Sequence, residues 1–368
     1  MLREYPATKS SCPLPDPQDS RRAGGTMTTE QSNRREFLQA GATGIAALSL
    51  VSDVFANDQR NSGNVPLRVF GRTGKMVSIM ALGGHSSTNP KKLSKAESLR
   101  LIQRAVDEGI TFMDNAWDYH DGEAEERMGK ALAVGSRRDK VFLMTKVCGR
   151  TAKEALSNLE DSLRRLKTDH IDLWQFHEIV YDNDPDWIFA DDGAIHTALK
   201  ALKDGKVGNL GFTGHKDPSI HLKMLAKPAP WSAVLMPLNV MDAHYRSFQK
   251  QVLPELVRRG IAPLGMKSLG GNGSIVTEAG IPVEDALRYV LSLPIATLVS
   301  GIDSEAVLDQ NLKIVRQFRP LGDEERQAIE QRTLALAGDG RYELFKSSKS
   351  FDGPVHRKQH GFDTQASG

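Results

Sequence analysis

The sequence predicts an α/β protein folded as a closed (β/α)₈ TIM barrel. Eight apolar, β-branched segments alternate with amphipathic helical patterns between residues 77 and 302, which indicates a parallel sheet covered by helices. The competing fold, an open doubly wound sheet, would need a glycine-rich turn after its first strand, and "ALGGHSSTN" at residues 81–89 lacks the GxGxxG spacing. The predicted strands are Val77–Leu82, Thr111–Asn115, Val141–Val147, Ile171–His177, Val207–Thr213, Ala233–Leu238, Ile261–Lys267 and Thr297–Ile302.

A β-hairpin is predicted before the first barrel strand and an extra helix after the last. The hairpin is "LRVFGRTGKMVS", residues 67–78, and we expect it to plug the bottom of the barrel. The extra helix is "DEERQAIEQRTLALAG", residues 323–338, and the polar segment that follows it is expected to be partly disordered. The predicted organisation is a leader (1–56), a linker (57–65), the barrel (66–322), and a C-terminal helix with a tail (323–368).

The helices that cover the barrel show the 3.6-residue period. In "AKEALSNLEDSLRRLKT", residues 152–168, the apolar stripe includes Leu156, Leu159 and Leu163. Several helices stop at a glycine, which suits a left-handed C-terminal cap; these are Gly109, Gly205 and Gly260.

The leader carries a candidate export signal. An arginine pair at 34–35 precedes a mildly apolar stretch, and Val54 and Ala56 offer small residues at positions −3 and −1 of a cleavage site. The segment resembles a twin-arginine signal, and it is too short and too rich in Gly and Ala to span a membrane. The export machinery is therefore a predicted partner, with a periplasmic location, or membrane association if the signal stays uncleaved. A basic-capped amphipathic helix is the competing interpretation, and Met27 is an alternative start.

Composition excludes several classes of function. The 368-residue chain has 48 basic and 46 acidic residues, a net charge of +2, which gives no electrostatic case for nucleic acid as a partner. Cys12 and Cys148 are the only cysteines, so a disulfide framework, a cysteine metal site and an iron–sulfur cluster are not expected. His85, His215 and His244 fall at or just after strand ends, but they lack a clear set of carboxylates, and we expect no metal.

Ionisable residues end three consecutive predicted strands. Asp114 ends the second strand, Lys146 lies at the end of the third and His177 ends the fourth, while Tyr119 lies in the loop after Asp114. A buried lysine needs a partner, and Asp114 on the neighbouring strand is the natural one. The ammonium is expected to lower the pKa of Tyr119, so that the phenol can exchange a proton with an alkoxide. This group suits the reduction or oxidation of a small carbonyl or alcohol substrate, provided that something supplies hydride.

Four stretches resemble the aldo-keto reductase family across residues 66–320. They are "ITFMDNAWDYHDGEAEERMGKAL", "VFLMTKV", "IDLWQFHEI" and "KVGNLGFTG". The resemblance places the family's catalytic tetrad on Asp114, Tyr119, Lys146 and His177. It implies a barrel that binds NADP(H) or NAD(H) without a Rossmann motif and without a metal.

The resemblance also assigns cofactor positions, although several differ from the usual residues. Thr213 and Gly214 stand where the family often has Ser-Asn, Leu235 where it has Gln, and Met266 where a tyrosine stacks on the nicotinamide. Lys267 could meet a phosphate. The remaining positions implied for the cofactor are Leu269, Gly301, Asp303, Gln310 and Asn311. Because Asp303 would repel a 2′-phosphate while the family mostly uses NADP, NADP is only slightly favoured over NAD.

Three further residues are expected to line the substrate pocket: His85, His120 and Trp187. Two other functions stay open at this stage. One is a Schiff-base lyase in which Lys146 attacks a carbonyl. The other is a non-catalytic subunit that senses NAD(P)H. The substrate, the direction of reaction and the oligomeric state are not specified by the sequence.

Overall fold

The computed structural model describes residues 65–364. The leader, nearly all of the linker, and Cys12 lie outside these residues, so the predictions made for them remain predictions. Within the described range no helix is both long and apolar enough to cross a bilayer.

Eight parallel strands close into a barrel, which confirms the predicted fold class. A two-stranded antiparallel hairpin, β1 (Leu67–Val69) and β2 (Met76–Ser78), comes first, as predicted. The barrel strands are β3 (Met80–Gly83), β4 (Phe112–Asp114), β5 (Phe142–Val147), β6 (Leu173–Phe176), β7 (Leu210–Thr213), β8 (Trp231–Pro237), β9 (Ala262–Met266) and β10 (Thr297–Ser300). They follow one another around the barrel in chain order, and β10 pairs with β3 to close it.

The helices lie between and after the strands. They are α1 (Gly84–Ser87), α2 (Lys95–Asp107), α3 (Glu123–Leu132), α4 (Ala152–Leu166), α5 (Asp184–Ile188), α6 (Ala194–Lys203), α7 (Pro218–Ala226), α8 (Phe248–Gln251), α9 (Leu253–Arg259), α10 (Ser274–Thr277), α11 (Val283–Leu291), α12 (Glu305–Arg316), α13 (Asp323–Ala337), α14 (Leu344–Ser347) and α15 (Pro354–Gln359). Ser94 and Thr151 begin α2 and α4 with capping boxes, each accepting from the backbone N–H three residues on. Gly109, Gly205 and Gly260 all have positive φ, as the cap prediction required.

Aromatic rings from the hairpin and two strands form the floor of the barrel. The Phe70 ring, between the hairpin strands, lies 4.7 Å from the Phe142 ring and 6.2 Å from the Phe112 ring, measured between centroids. All three side chains are buried. The next residue, Gly71, has φ +51°, and an added Cβ would lie 2.8 Å from the Gly260 carbonyl oxygen. The hairpin therefore closes the amino-terminal end of the barrel, as predicted.

Three details of the prediction are wrong. Val77 and Ser78 belong to the hairpin, since the chain leaves it at Ile79 and only then enters β3. Leu156 does not lie on the buried stripe of α4, because 45% of its surface is exposed. The segment after α13, residues 338–364, which we call the tail, is folded: it forms α14 and α15 and contacts the loops at the carboxyl ends of the strands.

Candidate active site

Lys146 and Asp114 form a buried ion pair at the mouth of the barrel. Lys146 Nζ lies 2.5 Å from Asp114 Oδ1 and 2.6 Å from the carbonyl oxygen of Asn115, and only 1% of Lys146 is exposed. The register explains the meeting: Asp114 pairs with Met144, two residues before Lys146, and tilted barrel strands bring staggered residues together. The same ammonium lies 3.2 Å from the Tyr119 hydroxyl. The contact predicted between these three groups is therefore present.

Tyr119 is held in its protonated form. Its surroundings raise the pKa of the phenol well above the ordinary value, because burial disfavours the phenolate and Asp114, Asp118 and Glu178 add negative charge around it. The expectation that Lys146 lowers this pKa is wrong for the protein alone, since Asp114 balances the ammonium and burial outweighs its attraction. The phenol is consequently a proton donor at neutral pH.

His177 lies on the other side of the tyrosine. The two ring centroids are 5.5 Å apart in an edge-on arrangement. The backbone N–H of His177 donates to the Val147 carbonyl at 2.8 Å, which continues the strand pairing to the mouth. Its Nδ1 lies 3.0 Å from Asp118 Oδ1 and 3.6 Å from Cys148 Sγ. All four residues predicted for the tetrad are thus brought together.

Of the three residues predicted to line the pocket, the structure places two beside Tyr119. The His85 ring is 5.2 Å from the Tyr119 ring and 4.8 Å from the His120 ring. Burial, followed by the charge on His120, lowers the pKa of His85 to about 4, so this imidazole is neutral. Trp187 instead stacks on His360 of the tail at 4.4 Å, and Tyr119 is not among its ring contacts in the described chain.

The positions predicted near the nicotinamide have mixed surroundings. Thr213 is buried at the end of β7. Gly214 has no room for a side chain, because an added Cβ would lie 2.2 Å from the Ile179 carbonyl oxygen. Met266 packs on the apolar interior of the barrel. Lys267 Nζ lies over the tail rings of Phe345 and Phe351, at 5.5 and 5.2 Å from their centroids, rather than in an open phosphate site.

The other predicted cofactor residues lie in the loops after β9 and β10. Leu269 packs against the main core, and an added Cβ on Gly301 would lie 2.9 Å from Ser86 Oγ. The buried Asn311 donates to Ser300 Oγ at 2.8 Å, whereas Gln310 is exposed. The Ser304 side chain accepts from the backbone N–H of Val307 and so begins α12.

Sequence reasoning missed a basic residue beside Asp303. Lys92 Nζ lies 2.6 Å from Asp303 Oδ2, and the lysine side chain is 61% exposed. The pairing offsets the negative charge that was expected to repel a 2′-phosphate. Lys92 lies more than two hundred residues from Asp303 in the chain, so no local motif links the two.

The tail was also missed as part of the site. Asp352 accepts from Lys216 at 2.7 Å and from the Tyr181 hydroxyl at 2.9 Å, and lies 3.3 Å from His215 Nε2. The backbone N–H of Gly353 donates to Glu178 at 2.7 Å. These contacts hold the tail against the loops that follow β6 and β7.

One group of side chains in the described range has the composition of a metal site. Asp118, Cys148, His177 and the tail residue His356 present ligand atoms that all lie within 4.8 Å of one another. The histidines considered from sequence do not form it. His85 contacts His120, and His244 Nε2 lies 3.2 Å from Thr333 Oγ1.

A closed parallel barrel with a lysine, a carboxylate, a tyrosine and a histidine converging at its mouth defines a class of barrel oxidoreductases. Comparison with known proteins places the chain within that class. The model of the Aldo/keto reductase family matches residues 79–282, more than half of the chain, and the protein belongs to this family of oxidoreductases.

Individual relatives are distant. Aldo-keto reductase AFTS1 of Alternaria alternata is 26% identical, over 54% of this chain and 63% of its own length. The 6-dehydroglucose reductase of Novosphingobium aromaticivorans is 28% identical, over 61% of this chain and 76% of its own. The chain spans 47–63% of the length of the first curated relatives it matches. Among solved structures, the holo form of aldo-keto reductase AKR11C1 from Bacillus halodurans superimposes with a TM-score of 0.61 at 23% identity, covering 72% of this chain and 95% of that one.

Proposed function

We propose that the protein transfers hydride between a nicotinamide cofactor, NADP(H) or NAD(H), and a small carbonyl or alcohol substrate, with Tyr119 as the proton donor and acceptor. The observation that carries this proposal is the 3.2 Å contact between Lys146 Nζ and the Tyr119 hydroxyl, made while Asp114 holds the same ammonium. The contact supports proton transfer because a positive charge fixed beside the phenol stabilises the phenolate that forms when the proton leaves.

The four side chains have separable tasks in this scheme. Tyr119 donates its proton to the oxygen that gains charge as the carbonyl is reduced, and takes it back in the opposite direction. Lys146, held in place by Asp114, keeps a positive charge beside the phenol. His177, edge-on to Tyr119 at 5.5 Å, supplies a ring nitrogen for orienting the substrate oxygen. The raised pKa of Tyr119 keeps the phenol protonated before reduction begins, so the fixed charge of Lys146 is needed to stabilise the phenolate as the proton leaves.

The residues present fit a nicotinamide cofactor at both ends of the mouth. Thr213 and Met266 would hold the nicotinamide, and the loop after β10 with Asp303 and Lys92 would receive the adenosine phosphate. When bound, the cofactor supplies the hydride. Because Phe345 and Phe351 of the tail contact Lys267, the cofactor must either bind before the tail packs there or displace the tail. The Lys92–Asp303 pair supports NADP, the slightly favoured cofactor.

Export is proposed on the leader alone. A twin-arginine route carries proteins already folded, which suits a barrel whose cofactor site is covered by its own tail. The periplasmic location, or a membrane-associated one with the signal uncleaved, is therefore proposed together with a cofactor that is retained through folding.

The decisive experiment compares wild-type protein with Tyr119→Phe. We expect consumption of NADPH or NADH with a panel of aldehydes, ketones and sugars to fall about 10²–10⁴-fold, because the general acid is lost. Cofactor binding, followed by fluorescence titration, should be kept, since the ring remains. Turnover that survives the substitution would rule out this role for Tyr119.

The same assay separates the rival functions. Cofactor binding without turnover on any substrate by the wild type would indicate a sensor. A lyase would need Lys146 as a free amine, yet its ammonium already contacts Asp114, Asn115 and Tyr119. Borohydride trapping of a substrate on Lys146 would overturn that argument.

A further inference from the structure

A buried group of four side chains lies beside Tyr119, and the proposed hydride transfer uses only one of them. Asp118 comes from the loop after β4, Cys148 follows β5, His177 follows β6 and His356 lies in α15 of the tail. These residues are far apart in the chain, and the fold brings their ligand atoms within 4.8 Å of one another. We call this group the mouth cluster.

The atoms of the mouth cluster converge on a small volume without satisfying one another. His177 Nδ1 lies close to two of the other ligand atoms, at 3.0 Å from Asp118 Oδ1 and 3.6 Å from Cys148 Sγ. Asp118 Oδ1 nevertheless has no aligned hydrogen-bond donor among the described residues, its contact with His177 being an ion pair, and His356 Nε2 has no hydrogen-bond partner there, with Glu178 Oε2 3.9 Å away. His356 is fully buried, and the Asp118 side chain is 9% exposed. Buried polar atoms left in this state need a further partner.

We propose that the mouth cluster binds one divalent transition-metal ion, with Zn²⁺ as the best match. One thiolate, two imidazoles and one carboxylate are ligands that zinc takes in four-coordinate sites. Tetrahedral zinc, with bonds of about 2.0–2.3 Å, holds its ligand atoms roughly 3.3–3.7 Å apart. The distances around His177 Nδ1 already lie near that range, so only a small inward movement of the remaining ligands is needed.

The charged side chains around the mouth cluster also suit a cation. Asp118 brings one carboxylate into the cluster, and a second carboxylate oxygen, Glu178 Oε2, lies 3.9 Å from His356 Nε2. The neighbouring guanidinium of Arg150 is paired with Asp184 at 3.0 Å, which offsets its positive charge.

A metal at this place would have two consequences. It would join α15 to three loops of the barrel and so fix the tail across the mouth. It would also take Nδ1 of His177, and because a neutral imidazole carries one proton, Nε2 would then be the protonated nitrogen. The proposal does not depend on hydride transfer, since binding can be measured without any substrate.

The test uses the purified full-length chain, stripped of metal by a chelator and then titrated with Zn²⁺ and with Co²⁺. We expect one metal ion per chain, and the Co²⁺ form should show a thiolate-to-cobalt charge-transfer band. Cys148→Ser should abolish that band. His356→Ala should weaken Zn²⁺ binding by at least about tenfold. The matched control is His360→Ala, which removes a histidine of the same tail that pairs with Asp184 and lies outside the mouth cluster.

The outcomes divide cleanly. A charge-transfer band in wild type and His360→Ala that disappears in Cys148→Ser supports the site. The site is disproved if metal-free wild type binds Zn²⁺ no more tightly than the double variant Cys148→Ser/His356→Ala, or if bound Co²⁺ gives no thiolate band. Thermal unfolding of each metal-free variant shows whether it is folded. If His356→Ala does not fold, the test rests on Cys148→Ser, which is a near-isosteric change.

Discussion

Two buried lysines contact loops at the mouth of this barrel, and their third partners distinguish them. Lys146 contacts one carboxylate, Asp114, one backbone carbonyl, and the Tyr119 hydroxyl. Lys346, in the tail, contacts Asp242 at 2.7 Å, the Tyr245 carbonyl at 2.7 Å, and a second carboxylate, Glu343, at 2.9 Å. A lysine that reaches a titratable hydroxyl can act on its proton, whereas one enclosed by two carboxylates is neutralised. In the proposed reaction Lys146 acts on the proton of Tyr119, whereas the contacts of Lys346 hold the tail against the loop that follows β8.

Exchanging each lysine for methionine should separate these two roles, with the largest expected effect. Lys146→Met should lower the rate of carbonyl reduction about 10²–10³-fold per folded molecule, because the charge beside the phenol is lost. Lys346→Met should cost about 3–5 kcal/mol in the free energy of unfolding, because two buried carboxylates lose their partner. Steady-state kinetics and urea unfolding on both variants provide the measurements. Equal losses of turnover in the two variants would break the comparison.

The buried contacts of Lys346 with Asp242 and Glu343 should also make the stability of the fold depend on pH. Burial raises the pKa of Glu343 from its ordinary value of 4.5 to about 7, with Lys346 opposing the shift and Asp242 adding to it. The folded state therefore holds this proton more tightly than the unfolded state. Stability from this group is full below about pH 4.5 and is lost as the pH rises towards 7.

Glu343→Gln should remove that dependence. The free energy of unfolding of the variant minus that of wild type should increase by roughly 2–3 kcal/mol as the pH rises from about 4.5 to 8. Urea unfolding across this range measures the difference. Glu324→Gln, at an exposed position of α13, is the control and should give parallel curves. If the difference between Glu343→Gln and wild type is the same at every pH, Glu343 does not titrate as described.

The smallest effect concerns cofactor choice. Lys92→Ala removes the partner of Asp303, so the carboxylate should repel a 2′-phosphate and shift the ratio of kcat/KM values towards NADH. We expect about a two- to fivefold shift, because the pair is solvent-exposed. Lys91→Ala, an exposed neighbour that is not in this pair, is the control. An unchanged ratio would place the 2′-phosphate, or the adenosine itself, elsewhere.

Much of the barrel could be predicted because its strands are apolar on both faces and its helices are not. The boundary between the hairpin and the first barrel strand could not be predicted within Val77–Leu82, because no glycine or proline at Ile79 separates the two strands. The exposure of Leu156 could not be predicted either, since a helical apolar stripe identifies the buried face of a helix but not where that face ends.

The tail could not be predicted because polar contacts hold much of it in place. Asp352, Lys346 and His356 resemble loop residues in the sequence, and each is buried through a partner at least one hundred residues away. The convergence of Asp114, Lys146 and His177 was predictable because they stand at the ends of three consecutive strands, 32 and 31 residues apart, and Tyr119 follows Asp114 in the same loop. The sign of the Tyr119 pKa shift was not, since it depends on burial and on Asp118 and Glu178 together.

The aromatic floor made by Phe70, Phe112 and Phe142 closes the barrel at one end and leaves the mouth as its opening. We expect these packed rings to keep water from passing through the bottom of the barrel, so in the proposed reaction Tyr119 should regain its proton through the opening by which product leaves. Reprotonation of Tyr119 and release of product would then share one path, and a solvent deuterium isotope effect is expected on reprotonation as well as on the reduction step, in which Tyr119 gives up an exchangeable proton.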